Sequence, residues 1–240
     1  MIHKATVQII RTHATGILDV AQNLHRTHPG LFWILIFAIV SRVLVYMIGQ
    51  PWDQEIVSNT ILSGDAIVYD QIARGFLDGK WVSEMPETSH RTLGYPFFVA
   101  SIYLISNNAI WLVLAVQTLL NILMIPMIYS AAKQIFGSQK SGTVAAALFA
   151  LSAISLAWAT RYLFTETLFV FSFLVFVMMY LHVWKSESVR WFFLLGVLLG
   201  VATIVRSVLQ FYVAIPVLII LVQDRAVRRK MVLASAVAVG

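Results

Sequence analysis

Long apolar runs constrain this chain more than any other feature of its sequence. A helix needs about 20 apolar residues to cross the hydrocarbon core of a bilayer. Six runs approach that length, and each is a candidate transmembrane helix: Leu31–Ile48, Ala109–Ala132, Gly142–Ala159, Leu163–Trp184, Trp191–Val205 and Val208–Val222. A further run, Met231–Gly240, is too short to span, so we expect the sequence to be truncated there. These runs predict an all-α polytopic transmembrane helical bundle with about six spans and the start of a seventh.

The composition excludes a water-soluble fold. Apolar residues make up 60% of the chain and charged residues only 12%, whereas a soluble globular domain carries roughly 25% charged residues. Cysteine is absent, which excludes disulfides and thiolate metal sites. The net charge of +6 comes from Lys and Arg scattered between the apolar runs, which is typical of juxtamembrane loops. We therefore expect membrane lipids, and no nucleic acid, as partners.

The segment Met1–Gly30 is predicted to be a cytoplasmic basic arm. It has no apolar core before Leu31, so it is not a secretory signal. Its four histidines show no helical i, i+4 spacing, which favours a solvated arm over a metal site; they are His3, His13, His25 and His28. We divide the chain into this arm, residues 1–30, and a transmembrane module, residues 31–240, whose first outer loop covers residues 49–108.

The short apolar run Tyr95–Ile105 decides the topology. It is too short to cross the bilayer. If it does not cross, eleven of the 17 Lys and Arg residues fall on the same side as the N-terminus, and cytoplasmic loops are enriched in these residues. The outer loop then carries seven acidic residues against three basic ones. We predict that Tyr95–Ile105 is an interfacial or re-entrant helix and that the N-terminus is cytoplasmic.

This topology places an unusual group of ionisable residues at the outer membrane face. Arg91, Arg161 and Arg206 lie at or near helix ends there, together with Glu166. Ionisable groups at membrane depth are costly and usually line a functional cavity. Snorkelling of single arginines to the lipid head groups is the alternative, but it accounts poorly for four such residues on one face.

The outer loop contains a predicted amphipathic helix, Asp65–Leu77, which ends at Asp78-Gly79. Its apolar residues recur at spacings of three and four; they are Ala66, Tyr69, Ala73, Phe76 and Leu77. We expect this helix to lie on the bilayer surface, with Trp81 as an interfacial anchor. Asp65 then lies at the helix start, above the ionisable group, and a plain N-cap is the alternative interpretation.

Several motifs occur in a fixed order along the chain. The outer loop reads Gly64-Asp65-Ala66-x-x-Tyr69-x-x-x-Ala73-x-Gly75-x-x-x-Gly79-x-Trp81, followed by Arg91-Thr92-Leu93-Gly94-Tyr95-Pro96. Later come Gln117, Ala132-Lys133-x-x-Phe136-Gly137, Thr165-Glu166-Thr167-Leu168-Phe169 and Gly196-x-x-x-Gly200-x-x-x-x-x-Arg206. Together these motifs resemble the GT-C glycosyltransferases, polytopic enzymes that use polyprenyl-phosphate-linked sugars. Leu93 replaces the first proline of the family's Arg-x-Pro-Gly-Tyr-Pro segment. The nearest branches are the protein mannosyltransferases and the lipid A aminoarabinose transferases.

The resemblance implies that Asp65 is the catalytic base or the carboxylate that positions the acceptor. An acceptor hydroxyl must lose its proton as it attacks the anomeric carbon, and a carboxylate within hydrogen-bond reach can take that proton. Some relatives have adjacent acidic residues at this position, and oligosaccharide-transferring relatives bind a divalent metal with paired acids, whereas here Ala66 follows Asp65. We therefore predict no metal site, and a divalent metal is the less favoured alternative.

The donor phosphate requires fixed cations, and arginine can bind phosphate oxygens bidentately. Arg91, Arg161 and Arg206 are the candidates, and the resemblance favours Arg161 and Arg206. Glu166 either holds Arg161 in position or binds sugar hydroxyls or a metal. The motifs add two further supporting residues, which are Tyr69 and Tyr95.

The predicted function is transfer of a hexose or pentose from a polyprenyl-phosphate donor to an acceptor at the outer face of a membrane. The resemblance favours a multi-pass protein of a bacterial inner membrane and leaves the endoplasmic reticulum open. A non-catalytic lipid carrier or flippase partner would need the arginines but no base, and a transporter would need a midplane site. The family's later helices and C-terminal domain are not in this sequence, and if the chain is complete we expect acceptor recognition to be lost or supplied by another subunit. A fragment that keeps only the fold is the remaining alternative.

Overall fold

The computed structural model describes residue 19 and residues 21–80, 82–85, 91–183 and 188–208. Within these ranges the chain is helical and has no β-strand, which confirms the all-α prediction. Its main helices are α1 (Pro29–Gly49), α2 (Asp65–Leu77), α3 (Gly94–Ser106), α4 (Ile110–Phe136), α5 (Gln139–Leu151), α6 (Ala153–Thr160), α7 (Thr165–Val183) and α8 (Val189–Val205). Short helical turns cover Gln54–Ile56, Val57–Ile61 and Val82–Glu84.

Within the part of the chain that the structure describes, three helices are long and apolar enough to cross a membrane: α1 with 21 residues, α4 with 27 and α7 with 19. The predicted span Gly142–Ala159 is instead two helices, α5 and α6, bent by 57° and together apolar enough for a fourth crossing. Ser152 produces the break, because its extended ψ of 106° ends α5 while its hydroxyl accepts a hydrogen bond from the Ser155 N–H at the start of α6.

The prediction of six spans is therefore not confirmed. Helix α8 contains the predicted run Trp191–Val205, but its 17 residues put it among the shorter apolar helices. The rest of the Val208–Val222 run, from Leu209 onward, and all of Met231–Gly240 lie outside the described residues. Helix α3 has 13 residues, a length of about 20 Å, which is too short for a crossing. Its placement as an interfacial or re-entrant helix stays a prediction.

Helix α2 has the predicted bounds, Asp65–Leu77. It starts after Gly64, whose φ of 57° lies in the left-handed region that favours glycine. Its Ala66, Tyr69 and Ala73 are buried in one core cluster with residues of α3, so these positions of the apolar face contact protein. Trp81, the predicted interfacial anchor, lies outside the described residues.

Helix α4 is central to the described fold, since it packs against α1, α3, α5, α6 and α7. Toward the N-terminal end of α4, a large apolar cluster joins it to α2, α3 and the start of α7; its members include Ala73, Tyr95, Val99, Val113, Leu114 and Leu163. Toward the C-terminal end, a second cluster joins it to α1 and α5 through Ala38, Ile125, Tyr129 and Ala146. The first cluster holds the ends of several helices together, and the candidate site lies there.

Candidate active site

Four segments that are distant in sequence enclose a cleft of about 490 Å³. They are the start of α2, the segment before α3, the segment leading into α7, and the end of α8. The cleft is lined by Asp65, Tyr69, Arg91, Thr92, Phe164, Thr165, Glu166, Val205, Arg206 and Ser207. Three of the four segments carry residues of the ionisable group that was predicted at one membrane face, namely Arg91, Glu166 and Arg206.

Asp65 and Arg91 form an ion pair at one side of this cleft. The Arg91 Nη2–H donates to Asp65 Oδ1 at 2.5 Å. Asp65 is the first residue of α2, where the partial positive charge of the helix N-terminus favours a carboxylate. The N-cap is Gly64 rather than Asp65, so the interpretation of Asp65 as a plain N-cap is wrong and its carboxylate faces the cleft.

Glu166 and Arg206 form a second ion pair, in which the Arg206 Nη1–H donates to Glu166 Oε1 at 2.7 Å. Glu166 lies in the first turn of α7, and Arg206 directly follows the last residue of α8. The Arg206 guanidinium also lies 5.9 Å from the centre of the Phe169 ring, one turn further along α7. The pair therefore joins the start of α7 to the end of α8.

The phenol of Tyr69 lies close enough to both ion pairs for the charges of Asp65, Arg91 and Glu166 to act on it. Burial raises the pKa of Tyr69 above its ordinary value, and the charges of Asp65 and Glu166 raise it further. The charge of Arg91 and a hydrogen bond with Thr165 act in the opposite direction. The Arg91 guanidinium lies 5.8 Å from the centre of the Tyr69 ring, a cation–π contact. Tyr69 thus lines the cleft, contacts the Arg91 guanidinium, and has its pKa raised by both carboxylates.

The segment of Arg91 is held directly against the segment of Arg206. Thr92 Oγ1 donates a hydrogen bond to the carbonyl oxygen of Val205 at 2.7 Å. Two residues on, a Cβ on Gly94 would come within 2.8 Å of the backbone of Ile204 and Val205, a distance that real Cβ atoms do not reach. A glycine is therefore required at this point of the motif, because the two backbones touch.

Tyr95 was predicted as a supporting residue, and the structure places it beneath the cleft rather than in its lining. Its ring is fully buried and lies edge-on to Tyr69, with 5.1 Å between the centroids. Its hydroxyl donates to Gln117 Oε1 at 2.5 Å, and Gln117 Nε2 donates to the carbonyl oxygens of Trp158 at 3.3 Å and Tyr162 at 3.0 Å. This network ties α3 and α4 to the turn between α6 and α7.

A second cavity, an apolar groove of about 250 Å³, adjoins the cleft. It lies between α4, the break between α5 and α6, and α7; its lining includes Met124, Phe149, Ile154, Trp158, Glu166 and Val170. Glu166 borders both cavities. A polar cleft and an apolar groove therefore meet at this side chain.

Comparison with known families decides the relationship of this chain to other proteins. Residues 90–240 match the family described as dolichyl-phosphate-mannose-protein mannosyltransferase. The chain belongs to this family. Membership confirms the resemblance to the GT-C superfamily, makes the chain a GT-C glycosyltransferase by family, and implies an integral membrane protein with a lipid-linked sugar donor. No curated protein and no solved structure matches the chain.

The matched part of this mannosyltransferase-family chain contains Arg91, Glu166 and Arg206, whereas Asp65 lies before it. The predicted base therefore lies outside the matched residues, whereas the predicted cations Arg91 and Arg206 lie within them.

Arg161 is not among the residues that line the cleft. It follows the last residue of α6 and packs against the end of α1, where a Cβ on Gly49 would lie 3.8 Å from its Cγ and Nε. Glu166 pairs with Arg206 and not with Arg161, so the interpretation that Glu166 holds Arg161 in position is wrong. The physical reason is that the turn between α6 and α7 directs Arg161 toward α1.

Among the described residues, no group of three or more His, Asp or Glu side chains could hold a metal ion. Asp65 and Glu166 are each paired with an arginine instead. The cleft of this mannosyltransferase-family protein, so far as it is described, offers guanidinium groups as its fixed positive charge.

Five residues of the cleft lining were not named as site residues by the sequence interpretation: Thr92, Phe164, Thr165, Val205 and Ser207. Thr92 and Thr165 stand beside Arg91 and Glu166 in motifs that were recognised, and that adjacency was the available signal. The backbone carbonyl of Val205 has no signal in the sequence, because its role comes from the approach of Gly94.

Proposed function

We propose that this protein transfers a sugar from a polyprenyl-phosphate donor to a hydroxyl acceptor at the outer face of the membrane, with Asp65 as the general base. The observation that carries the proposal is that Asp65, Glu166, Arg91 and Arg206 converge on one cleft. A membrane glycosyltransferase needs a base and fixed cations close together, and these four residues supply both.

The reaction places a distinct demand on each part of the cleft. The acceptor oxygen forms a bond to the anomeric carbon while the bond from that carbon to the phosphate oxygen breaks. The bonding electron pair leaves with the polyprenyl phosphate, and the acceptor proton passes to the Asp65 carboxylate. Asp65 is suited to this role because its side chain is 51% exposed and acceptors can reach it.

The arginines are suited to stabilise the leaving phosphate. Negative charge develops on the phosphate oxygens as the sugar departs, and guanidinium groups bind such oxygens with directional hydrogen bonds. Arg91 and Arg206 lie in the cleft lining. Arg161 lies at the end of α6, outside the lining, and its phosphate role stays a prediction.

The apolar groove supports a lipid-linked donor. It meets the cleft at Glu166 and extends between membrane-spanning helices. An isoprenoid chain would bury apolar surface there while its phosphate reached Arg206. We further propose a bacterial inner membrane, a cytoplasmic N-terminus and no tightly held metal.

The test measures donor binding and sugar release with polyprenyl-phosphate-linked mannose on purified protein. Wild type is compared with Asp65→Asn and Arg206→Ala, and with Glu55→Gln, an exposed carboxylate of the same loop, as a charge-matched control. We expect Arg206→Ala to lose binding, Asp65→Asn to bind without release, and Glu55→Gln to behave as wild type. The proposal fails if Asp65→Asn retains full release, or if wild type binds no donor. Binding without release by wild type would favour the lipid-carrier alternative.

A further inference from the structure

Both arginines of the cleft are already engaged by carboxylates. Arg91 donates to Asp65 and Arg206 donates to Glu166. Among the residues that line the cleft, these are the two cations and the two carboxylates. Each arginine that is proposed to bind phosphate is therefore hydrogen-bonded to a carboxylate, and one of these carboxylates is the proposed base, Asp65.

A donor phosphate would compete for the same N–H groups. Each guanidinium has five N–H donors, and in both pairs a terminal nitrogen of an arginine from the cleft lining donates to the carboxylate. The donor phosphate is a diester with two free oxygens and one negative charge, so it offers arginine the same charge and the same bidentate geometry as a carboxylate. Burial of its isoprenoid chain in the adjoining apolar groove adds to its affinity and favours the exchange. Meanwhile, a carboxylate oxygen that accepts from a guanidinium is less available to an acceptor hydroxyl.

We propose that the donor phosphate exchanges with the carboxylates on Arg91 and Arg206, so that Asp65 becomes available as a base only when the donor is bound. This inference rests on the proposed function. It makes binding ordered, with the donor before the acceptor. No covalent bond changes during the exchange.

Two features of the cleft suit such an exchange. First, each guanidinium has a second anchor, since Arg91 lies over the Tyr69 ring at 5.8 Å and Arg206 over the Phe169 ring at 5.9 Å. These rings would keep the cations in place after the carboxylates depart.

Second, the pairs are open to water. The exposed fractions are 33% for Arg91 and 51% for Asp65, and 43% for Arg206 and 22% for Glu166. Ion pairs exposed to this degree contribute little to stability, so an incoming anion meets a weak competitor. The Asp65–Arg91 pair is the more open of the two and is the easier to exchange.

The experiment measures the affinity of farnesyl phosphate, which carries no sugar, for the purified chain in detergent. If Asp65 competes for Arg91, Asp65→Asn should bind the probe about two- to five-fold more tightly, the range expected for loss of an exposed ion-pair competitor. Glu55→Gln removes the same charge from an exposed position of the same loop, and it should leave the affinity unchanged. Asp65→Ser serves as a second variant if Asp65→Asn is poorly folded.

A double variant separates competition from a general change of charge. In an Arg91→Met background, Asp65→Asn should no longer improve binding. Equal improvement with and without Arg91, or no improvement in Asp65→Asn, would overturn the exchange. If Arg91→Met weakens binding while Asp65→Asn changes nothing, the exchange fails and the proposed function stands. If neither Arg91→Met nor Arg206→Ala weakens binding, the phosphate site of the proposed function fails as well.

Discussion

The guanidinium of Arg42, wholly buried in α1, donates its Nε–H to Asn121 Oδ1 of α4 at 3.1 Å. Its Nη1 donates to the carbonyl oxygen of Ala150 at the end of α5 at 2.8 Å. Asn121 in turn donates through Nδ2 to Ser155 Oγ of α6 at 2.8 Å. The polar contact between Arg42 and Asn121 therefore holds both sides of the broken span against α1 and α4.

Asn121→Ala should destabilise the fold, because it leaves the buried Nε–H of Arg42 without an acceptor. An unsatisfied buried donor costs about 1–3 kcal/mol, and more when it belongs to a charged group. Thermal unfolding in detergent measures the loss. Asn59→Ala, at an exposed position of the outer loop, is the control and should unfold as wild type. Equal stability of the two variants would contradict the structural role of Asn121.

Gly94→Ala should damage both stability and activity. The new Cβ would meet the backbone of Ile204 and Val205 at 2.8 Å, and overpacking of this kind costs about 1–3 kcal/mol. The relief of the clash moves Arg91 away from Arg206, so donor binding should also weaken. Gly49→Ala is the matched control, since its Cβ would contact only the flexible Arg161 side chain at 3.8 Å. A Gly94→Ala protein with wild-type binding would show that the contact is not needed.

Tyr103→Phe should loosen α2 from α3. The Tyr103 hydroxyl donates to Asp70 Oδ1 at 2.6 Å, and Arg74 holds the other oxygen of the same buried carboxylate at 2.8 Å. Loss of a hydrogen bond to a charged group costs about 1.5–3 kcal/mol, which urea or thermal unfolding can measure. Tyr162→Phe is the control, because its hydroxyl makes no hydrogen bond within the described residues. Comparable losses in both variants would refute the assignment.

Tyr69→Phe should alter how stability depends on pH. Burial raises the pKa of Tyr69 in the folded chain above its ordinary value. Above about pH 10 the unfolded tyrosine ionises while the folded one resists, so this contribution to stability is present below that pH and declines above it. Unfolding temperatures between pH 8 and 11 should therefore fall less steeply for Tyr69→Phe than for wild type. Parallel curves would contradict the shift.

Arg161→Ala should weaken farnesyl phosphate binding much less than Arg206→Ala. Arg206 lies in the cleft lining and Arg161 does not, and a charge-assisted hydrogen bond to phosphate is worth about tenfold or more in affinity. Isothermal calorimetry on the two variants gives the comparison. An Arg161→Ala defect as large as that of Arg206→Ala would support the role implied by family resemblance over the arrangement of the cleft.

Local patterns predicted much of the fold correctly. The bounds of α2 followed from apolar spacing and from the Asp78-Gly79 signal, because both are local properties of the chain. The break at Ser152 was not predicted. Its cause is a backbone conformation together with contacts to the buried Arg42 and Asn121, and hydropathy carries no information about either.

The sequence named the ionisable residues that line the cleft, but it did not predict how they pair, and their functional roles stay predictions. Asp65, Arg91, Glu166 and Arg206 were all named from the sequence, and they line one cleft. Their pairing was missed because Glu166 is near Arg161 along the chain but near Arg206 in space. Sequence proximity favoured the wrong partner, and only the packing of α7 on α8 brings the correct one into reach.

The separation of the cleft residues along the chain has a consequence for synthesis. The partners Asp65 and Arg91 are 26 residues apart, and Glu166 and Arg206 are 40 apart, so each ion pair can close within its own part of a nascent chain. The Thr92–Val205 hydrogen bond joins residues 113 apart, and loop closure over longer separations carries a larger entropy loss. During insertion from the N-terminus, the Asp65–Arg91 pair can therefore form first. The Glu166–Arg206 pair and the Thr92–Val205 contact both wait until the end of α8 has emerged, and together they complete the cleft.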